Sequence, residues 1–138
     1  MIRLAVIGSR EGFLGDPGTF IENLIKLERI KKEDLIIVSG GARGVDSQAE
    51  AWADKEGVKK LIFLADWKGK GKGAGYIRNH DIIENSDLVL AIWNGESRGT
   101  LHSLTLAKKK GLKIYLTLPE LHIAKDNEIP DKLTFKTT

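Results

Sequence analysis

The sequence has no cysteine and no long apolar run. The absence of cysteine excludes disulfides and thiolate metal sites, and it fits a cytoplasmic setting. No stretch approaches the roughly 20 apolar residues of a membrane helix. The first apolar run, residues 2–7, is too short for a signal peptide and carries Arg3. We therefore expect a cytoplasmic protein with no membrane partner.

A strong charge of one sign is also missing. The chain has 22 Lys and Arg against 19 Asp and Glu, which leaves a net charge of +3. This mild excess suits an anionic ligand, but it is too small to indicate nucleic acid by itself. A length of 138 residues is enough for one domain with a single core.

Glycine is what the chain does have, in four clusters. They are Gly8-Ser9-Arg10, Gly40-Gly41-Ala42-Arg43-Gly44, residues 69–75, and Gly95-Glu96-Ser97-Arg98-Gly99-Thr100. At least three of them follow a short apolar run, and three lead into a helical pattern. A strand, a glycine turn and a helix N-terminus together form an anion-binding arrangement, because the turn lets a ligand approach backbone N–H groups.

The hydrophobic pattern alternates between strands and helices. Strands are predicted at residues 2–7, 35–38, 60–64, 87–93 and 113–118, and helices at residues 19–29, 45–57, 76–85 and 100–110. This alternation predicts an α/β fold, a three-layer Rossmann-like doubly wound parallel sheet with strand order 3-2-1-4-5. The predicted domain covers residues 1–118. The extension 119–138 is open to three interpretations: an edge strand, a short helix or a tail.

Such sheets bind ligands beyond the carboxyl ends of the strands, at the point where the strand order reverses. The loop after the second predicted strand offers the N–H groups of residues 42–44 and the Arg43 side chain to a phosphate. Asp46 either contacts a ribose hydroxyl or only complements the helix dipole. In the fourth cluster Thr100 is the expected N-cap. The predicted ligand-binding residues are Gly8, Ser9, Arg10, Gly40, Gly41, Arg43, Gly44, Asp46, Arg78, Asn79, Gly95, Ser97, Gly99 and Thr100.

The third glycine cluster is rich in lysine and does not have the spacing of a Walker loop. It is interpreted either as a mobile cover over an anion or as a solvated surface loop. Arg78 lies just after it and either contacts the ligand or pairs at the surface with Asp81 or Glu84. Trp67, beside this cluster, is a better candidate for stacking on a base than Trp93 at a strand end.

Three stretches together resemble a known family: Ser39-Gly-Gly-Ala-Arg-Gly-Val-Asp46, Gly73-Ala-Gly-Tyr-Ile-Arg-Asn79 and Ala91-Ile-Trp-Asn-Gly-Glu-Ser-Arg-Gly-Thr100. With Gly8-Ser9-Arg10 in front, they resemble the YspA-type, YpsA-related branch of the SLOG superfamily over residues 1–118. The resemblance implies a Rossmann-like domain that binds or processes nucleotide-derived ligands. More distant relatives are the LOG-type phosphoribohydrolases and DprA, which binds single-stranded DNA.

In LOG-type enzymes a carboxylate follows the Gly-Thr turn, whereas here Leu101, His102 and Ser103 follow it. The catalytic residues are therefore unknown, with Arg78, Glu96 and His102 as weak candidates. The hypotheses are a nucleotide-processing hydrolase or transferase acting at a glycosidic or phosphate bond, a non-catalytic nucleotide sensor, and a single-stranded nucleic-acid binder of the DprA kind. No cofactor is predicted, and Mg²⁺ would enter only with a phosphorylated ligand. A homo-oligomer remains an open alternative.

Overall fold

The described part of the chain forms a six-stranded sheet with helices on both faces. The structure is a computed structural model that describes residues 1–11, 15–118 and 120–130. The strands are β1 Ile2–Gly8, β2 Leu35–Ser39, β3 Lys59–Ile62, β4 Leu88–Ile92, β5 Lys113–Leu116 and β6 His122–Ile123. Their order across the sheet is β3-β2-β1-β4-β5-β6. This order confirms the predicted Rossmann-like doubly wound topology and places its reversal between β1 and β4.

The five predicted strands are parallel as expected, and a sixth strand, which corresponds to the edge-strand alternative for the extension, makes the whole sheet mixed. β1 to β5 are parallel, but β6 runs antiparallel beside β5, with Tyr115 opposite Ile123 and Leu116 opposite His122. The chain turns back directly after β5 without a crossover helix, and only an antiparallel strand can follow such a short return. Of the predicted extension, residue 119 and residues 131–138 lie outside the described residues.

Within the described residues, five α-helices connect the strands. They are α1 Pro17–Leu27, α2 Val45–Glu56, α3 Trp67–Lys70, α4 Ala74–Glu84 and α5 Arg98–Lys110, with short 3-10 turns at Lys32–Asp34, Gly71–Gly73 and Asp126–Glu128. The prediction of a loop throughout the lysine-rich cluster was wrong, because α3 and a 3-10 turn occupy it. The Asp66 side chain accepts a hydrogen bond from the Gly69 N–H at 2.9 Å and stabilises this short helix despite its glycines.

The continuous apolar strands are buried on both faces, as expected for a parallel sheet between helices. Leu4 and Val6 of β1 point into one core, which includes α1 and α2 residues such as Leu24 and Trp52. Ala5 and Ile7 point into the other core, against α4 and α5. The glycine loops are therefore held at the carboxyl edge of a rigid sheet.

Within the described part of the chain, no helix is both long enough and apolar enough to cross a membrane.

Candidate functional site

A pocket of about 590 Å³ opens at the carboxyl edge of the sheet, where the strand order reverses. Its volume lies within the usual range for small-molecule sites. The loops after β1 and β4 contribute to it, together with α3, α4 and the first turn of α5. Its polar and aromatic lining consists of Ser9, Arg10, Glu11, Asp46, Trp67, Lys72, Tyr76, Arg78, Asn79, Asn94, Glu96, Ser97, Thr100 and Ser103.

Many of the residues predicted as ligand-binding meet in this pocket. They are Gly8, Ser9, Arg10, Asp46, Arg78, Asn79, Ser97, Gly99 and Thr100. Five others do not line it, namely Gly40, Gly41, Arg43, Gly44 and Gly95. Arg43 is exposed, and Gly95 supplies a positive-φ turn after β4. The pocket therefore draws mainly on the first and fourth glycine clusters and on α4.

The second glycine loop is arranged differently from the sequence-based expectation. The Asp46 carboxylate accepts hydrogen bonds from the backbone N–H groups of Gly40 and Ala42, both at 3.2 Å. The Ala42 amide, which was expected to contact a phosphate, donates to the Asp46 carboxylate in this structure. Asp46 closes its own loop while one side of it faces the pocket.

Arg78 is buried, so the alternative of a surface ion pair with Asp81 or Glu84 was wrong. One guanidinium nitrogen, Nη1, donates to the Gly40 carbonyl at 2.8 Å, and Nε donates to Asn79 Oδ1 at 3.1 Å. A Cβ at position 40 would lie 2.7 Å from Arg78 Nη1, so glycine is required for this approach. Arg78 thus binds the second loop from α4 and still contributes to the pocket wall.

The electrostatics of this cluster follow from burial. Burial raises the pKa of the Asp46 carboxyl from 3.8 to about 6, although the hydrogen bond from Ala42 and the charge of Arg78 lower it. Burial also lowers the pKa of the Arg78 guanidinium; Asp46 opposes that effect, and nearby Arg10 adds to it. The positive charges of Arg10 and Arg78 therefore repel each other within one pocket.

The first and second glycine loops are in direct contact. The Val45 N–H donates to the Ser9 carbonyl at 3.1 Å. Gly44 has a φ of +83°, and a Cβ there would clash with the Ser9 and Arg10 carbonyls. Gly44 therefore allows the two loops to pack closely, which is a structural role and not the predicted ligand contact.

The N-terminus of α5 forms the wall of the pocket next to β4. Ser97 is the N-cap, because its hydroxyl accepts a hydrogen bond from the Thr100 N–H. The prediction of Thr100 as the cap was therefore wrong by one turn. The Thr100 hydroxyl donates instead to Ser97 Oγ at 3.0 Å. Both hydroxyls and Gly99 line the pocket beside the positive end of the helix dipole.

Of the three weak catalytic candidates, Arg78 and Glu96 line the pocket, and His102 does not. The His102 Nδ1 atom lies 3.1 Å from Asn79 Nδ2. Because Asn79 Oδ1 accepts from Arg78, the Asn79 amide nitrogen faces His102 and acts as the donor. Burial lowers the pKa of His102, with further lowering from His80 and Lys109. His102 therefore supports the pocket wall through Asn79.

Comparison with known proteins assigns the family. A model of the YspA, cpYpsA-related SLOG family matches residues 2–69. Gene 61 protein of Mycobacterium phage D29 is 40% identical over 86 residues, which cover 58% of this chain and 69% of the phage protein. This chain belongs to the YspA, cpYpsA-related SLOG family.

Two solved structures of DNA processing protein A share the fold of this SLOG chain. The protein from Streptococcus pneumoniae matches with a TM-score of 0.66 and 21% identity over 83% of this chain and 50% of its own length. The protein from Helicobacter pylori, studied for its single-stranded DNA binding mode, matches with a TM-score of 0.63 and 23% identity over 83% of this chain. This chain covers 64% of that second structure, so it spans less than two thirds of either one.

Several residues of the SLOG pocket were not among the predicted site residues. They are Ile7, Glu11, Lys72, Gly75, Tyr76, Ile82, Asn94 and Ser103, whereas Ala42 and Trp67 had been predicted as a phosphate contact and a stacking candidate. Asn94 lies two residues after the end of β4, so the rule that ligands bind at the carboxyl edge would have found it. Tyr76 and Ser103 had no such signal, because their helical faces meet the pocket only through the packing of α4 against α5. In the described residues no group of three or more metal-ligating side chains is present.

Proposed function

We propose that this chain binds a nucleotide or a nucleotide-derived phosphorylated ligand in the pocket at the carboxyl edge of the sheet. The observation that carries the proposal is the presence of two guanidinium groups, Arg10 and Arg78, in one pocket. Neither forms an ion pair of 4.0 Å or less within residues 1–11, 15–118 and 120–130. Two adjacent cations repel each other, and an anionic ligand that bridges them relieves that repulsion.

The rest of the pocket fits a phosphate. The hydroxyls of Ser9, Ser97 and Thr100 line it together with the first turn of α5. The first N–H groups of a helix have no intrahelical acceptor and attract anions. Lys72 adds a further cation. Glu11 and Glu96 are exposed residues that also line the pocket, where carboxylates suit the hydroxyl and amino donors of a nucleoside.

Binding without cleavage of the ligand is the form of this function that the site favours. The first turn of α5 carries no acidic residue. The Asp46 carboxylate already accepts hydrogen bonds from the backbone of its own loop. A hydrolase or transferase would have to use Glu11 or Glu96 as its general acid or base, and both are exposed residues. We therefore propose a nucleotide sensor or sequestering module before an enzyme.

A single-stranded nucleic-acid binder is the second candidate. Trp67 is exposed beside Lys68, Lys70 and Lys72, and an aromatic ring among lysines is typical of proteins that track a single strand. The fold shared with DNA processing protein A is compatible with this alternative. The pocket volume of about 590 Å³ nevertheless lies within the usual range for small-molecule sites, which favours the small ligand.

Titration calorimetry and thermal unfolding of the purified protein distinguish a nucleotide-binding protein from a single-stranded nucleic-acid binder. We expect at least one of AMP, ADP, ATP and a cyclic dinucleotide to bind in the calorimeter and to raise the melting temperature. We expect Arg10→Ala to weaken that binding roughly 10- to 150-fold, the usual value of a charge-assisted contact. Lys59→Ala, which removes an equal charge from an exposed position on β3, should leave the affinity almost unchanged.

Two results would overturn the proposal. One is that none of the small nucleotides binds while a short single-stranded oligodeoxyadenylate does, with an affinity that falls steeply as salt increases. This result would assign the surface to nucleic acid. The other is an Arg10→Ala variant that binds as tightly as the Lys59→Ala control, which would remove Arg10 from the anion site.

A further inference from the structure

Trp67 differs from the other two tryptophans in its surroundings. Trp52 is 7% exposed within the core, and Trp93 donates its ring N–H to the Ser97 carbonyl at 3.2 Å. Trp67 is 50% exposed and lines the pocket. A large apolar ring on the wall of a polar pocket costs free energy in water unless a ligand or partner covers it.

The position of the Trp67 ring is defined by its neighbours. Trp67 is the first residue of α3, whose N-cap Asp66 holds the Gly69 N–H. Its ring edge lies against Gly75 at the start of α4, where an added Cβ would come within 3.2 Å of Cη2. Glycine at position 75 therefore lets the indole lie close to the backbone of α4. The ring is presented to the pocket in a supported position.

One face of this ring is covered by a cation from another loop. The Arg10 guanidinium carbon lies 5.7 Å from the centroid of the Trp67 ring. Arg10 follows β1, whereas Trp67 follows β3, and both line the same pocket. A planar cation over an exposed indole is held weakly, so a ligand that offers a better partner to each of them can separate the pair.

We propose that Trp67 stacks on the base of the bound nucleotide and that Arg10 leaves the ring to contact the phosphate. This assignment rests on the proposed function and makes Trp67 the residue that distinguishes a nucleotide from a simple sugar phosphate. A nucleobase is flat, and any of the bases can stack on an indole ring. The guanidinium released from the ring forms a charge-assisted contact that is stronger than its contact with the ring.

The experiment compares AMP with ribose 5-phosphate, which has the same sugar and phosphate but no base. We expect Trp67→Leu to weaken AMP binding roughly 5- to 150-fold, the usual contribution of base–aromatic stacking. The affinity for ribose 5-phosphate should change less than about twofold, because that ligand has no base to stack. Trp67→Phe keeps an aromatic face and should recover most of the AMP affinity.

Arg10→Ala tests the second part of the proposal, the contact between Arg10 and the phosphate. We expect it to weaken AMP and ribose 5-phosphate by the same factor, because both ligands carry the phosphate. Tryptophan fluorescence adds a direct readout: AMP should quench the wild-type emission, and it should quench the Trp67→Phe variant much less. The emission that remains there comes from Trp52 and Trp93, neither of which lines the pocket.

The outcomes are distinguishable from failure of the proposed function. If wild-type protein binds AMP but Trp67→Leu binds it equally well, the stacking assignment is wrong and the nucleotide site stands. If Trp67→Leu loses AMP and ribose 5-phosphate equally, the ring has a structural role and the assignment is wrong. If wild-type protein binds neither of these ligands and also none of ADP, ATP and the cyclic dinucleotide, the nucleotide site itself is overturned, and the assignment of Trp67 with it.

Discussion

Asp46→Asn is the substitution with the most informative expected effect on stability. The carboxylate is buried enough to raise its pKa from 3.8 to about 6. Each pKa unit corresponds to about 1.4 kcal/mol, so ionised Asp46 costs the folded state roughly 3 kcal/mol relative to protonated Asp46. Asp46 keeps some solvent contact, and we therefore expect a measured effect of about 1–3 kcal/mol.

The sign of the pH dependence follows from the direction of the shift. Between pH 3.8 and about 6 the folded protein retains a proton on Asp46 that the unfolded chain releases. The contribution of Asp46 to the free energy of unfolding therefore falls as pH rises through this window, and it is constant above it. Asparagine does not titrate, and its amide oxygen can accept the same hydrogen bonds from Gly40 and Ala42.

Urea unfolding at about pH 4 and about pH 7.5 measures the difference between the two proteins. We expect Asp46→Asn to match wild type at the lower pH and to be about 1–3 kcal/mol more stable at the higher pH. Asp54→Asn is the matched control, because Asp54 lies on the same helix with a side chain that is 62% exposed. That control should change the free energy of unfolding by less than about 1 kcal/mol at either pH.

A variant that is less stable than wild type at neutral pH would refute this reasoning. It would mean that the attraction between Asp46 and Arg78 outweighs the cost of burial. A difference between variant and wild type that is the same at both pH values would also refute it, because burial would then not govern the titration of Asp46.

Three further predictions concern the core, the pocket wall and its support. Leu90→Ala, at a fully buried site in β4, should lower the free energy of unfolding measured in urea by about 2–5 kcal/mol. The surface variant Leu64→Ala is the control, and a smaller decrease for Leu90→Ala than for this control would contradict the prediction. Ser97→Ala should cost about 0.5–2 kcal/mol through loss of the α5 cap, and thermal unfolding should show recovery in Ser97→Asp but not in Ser97→Val. In an NMR titration His102 should have a pKa below 6.5, because burial disfavours its charged form. Its contribution to the free energy of unfolding should therefore be lost as pH falls from 6.5 toward the lowered pKa of the folded state. A titration midpoint at or above 6.5 would argue against the burial of His102.

Much of the fold could be predicted from local pattern. Short runs of branched apolar residues such as 35–38 cannot form a helix of useful length, and the glycines after them mark the turn into the next helix. The alternation of strands and helices, with right-handed crossovers, leaves few arrangements of the sheet. The strand order and the location of the pocket at its reversal follow from these rules alone.

Other features are not encoded in the hydrophobic periodicity: one very short strand and two helix caps that each rest on a single side-chain contact. The antiparallel β6 is only two residues long, which is too short for any periodicity to reveal. The α3 helix forms in a glycine-lysine stretch because Asp66 caps it, and a cap is one side-chain contact. The N-cap of α5 is Ser97 and not Thr100, because the Ser97 hydroxyl accepts the hydrogen bond from the Thr100 N–H.

The sequence by itself determined the doubly wound sheet, the glycine loops at its edge and the family, because each is encoded in neighbouring residues. Only the tertiary structure decided what those loops do. Arg78 reaches back across 38 positions to the Gly40 carbonyl, and Arg10 meets the Trp67 ring from a different strand. Such pairings depend on which side chains the packed sheet and helices bring within contact distance, and chain spacing carries no information about that distance.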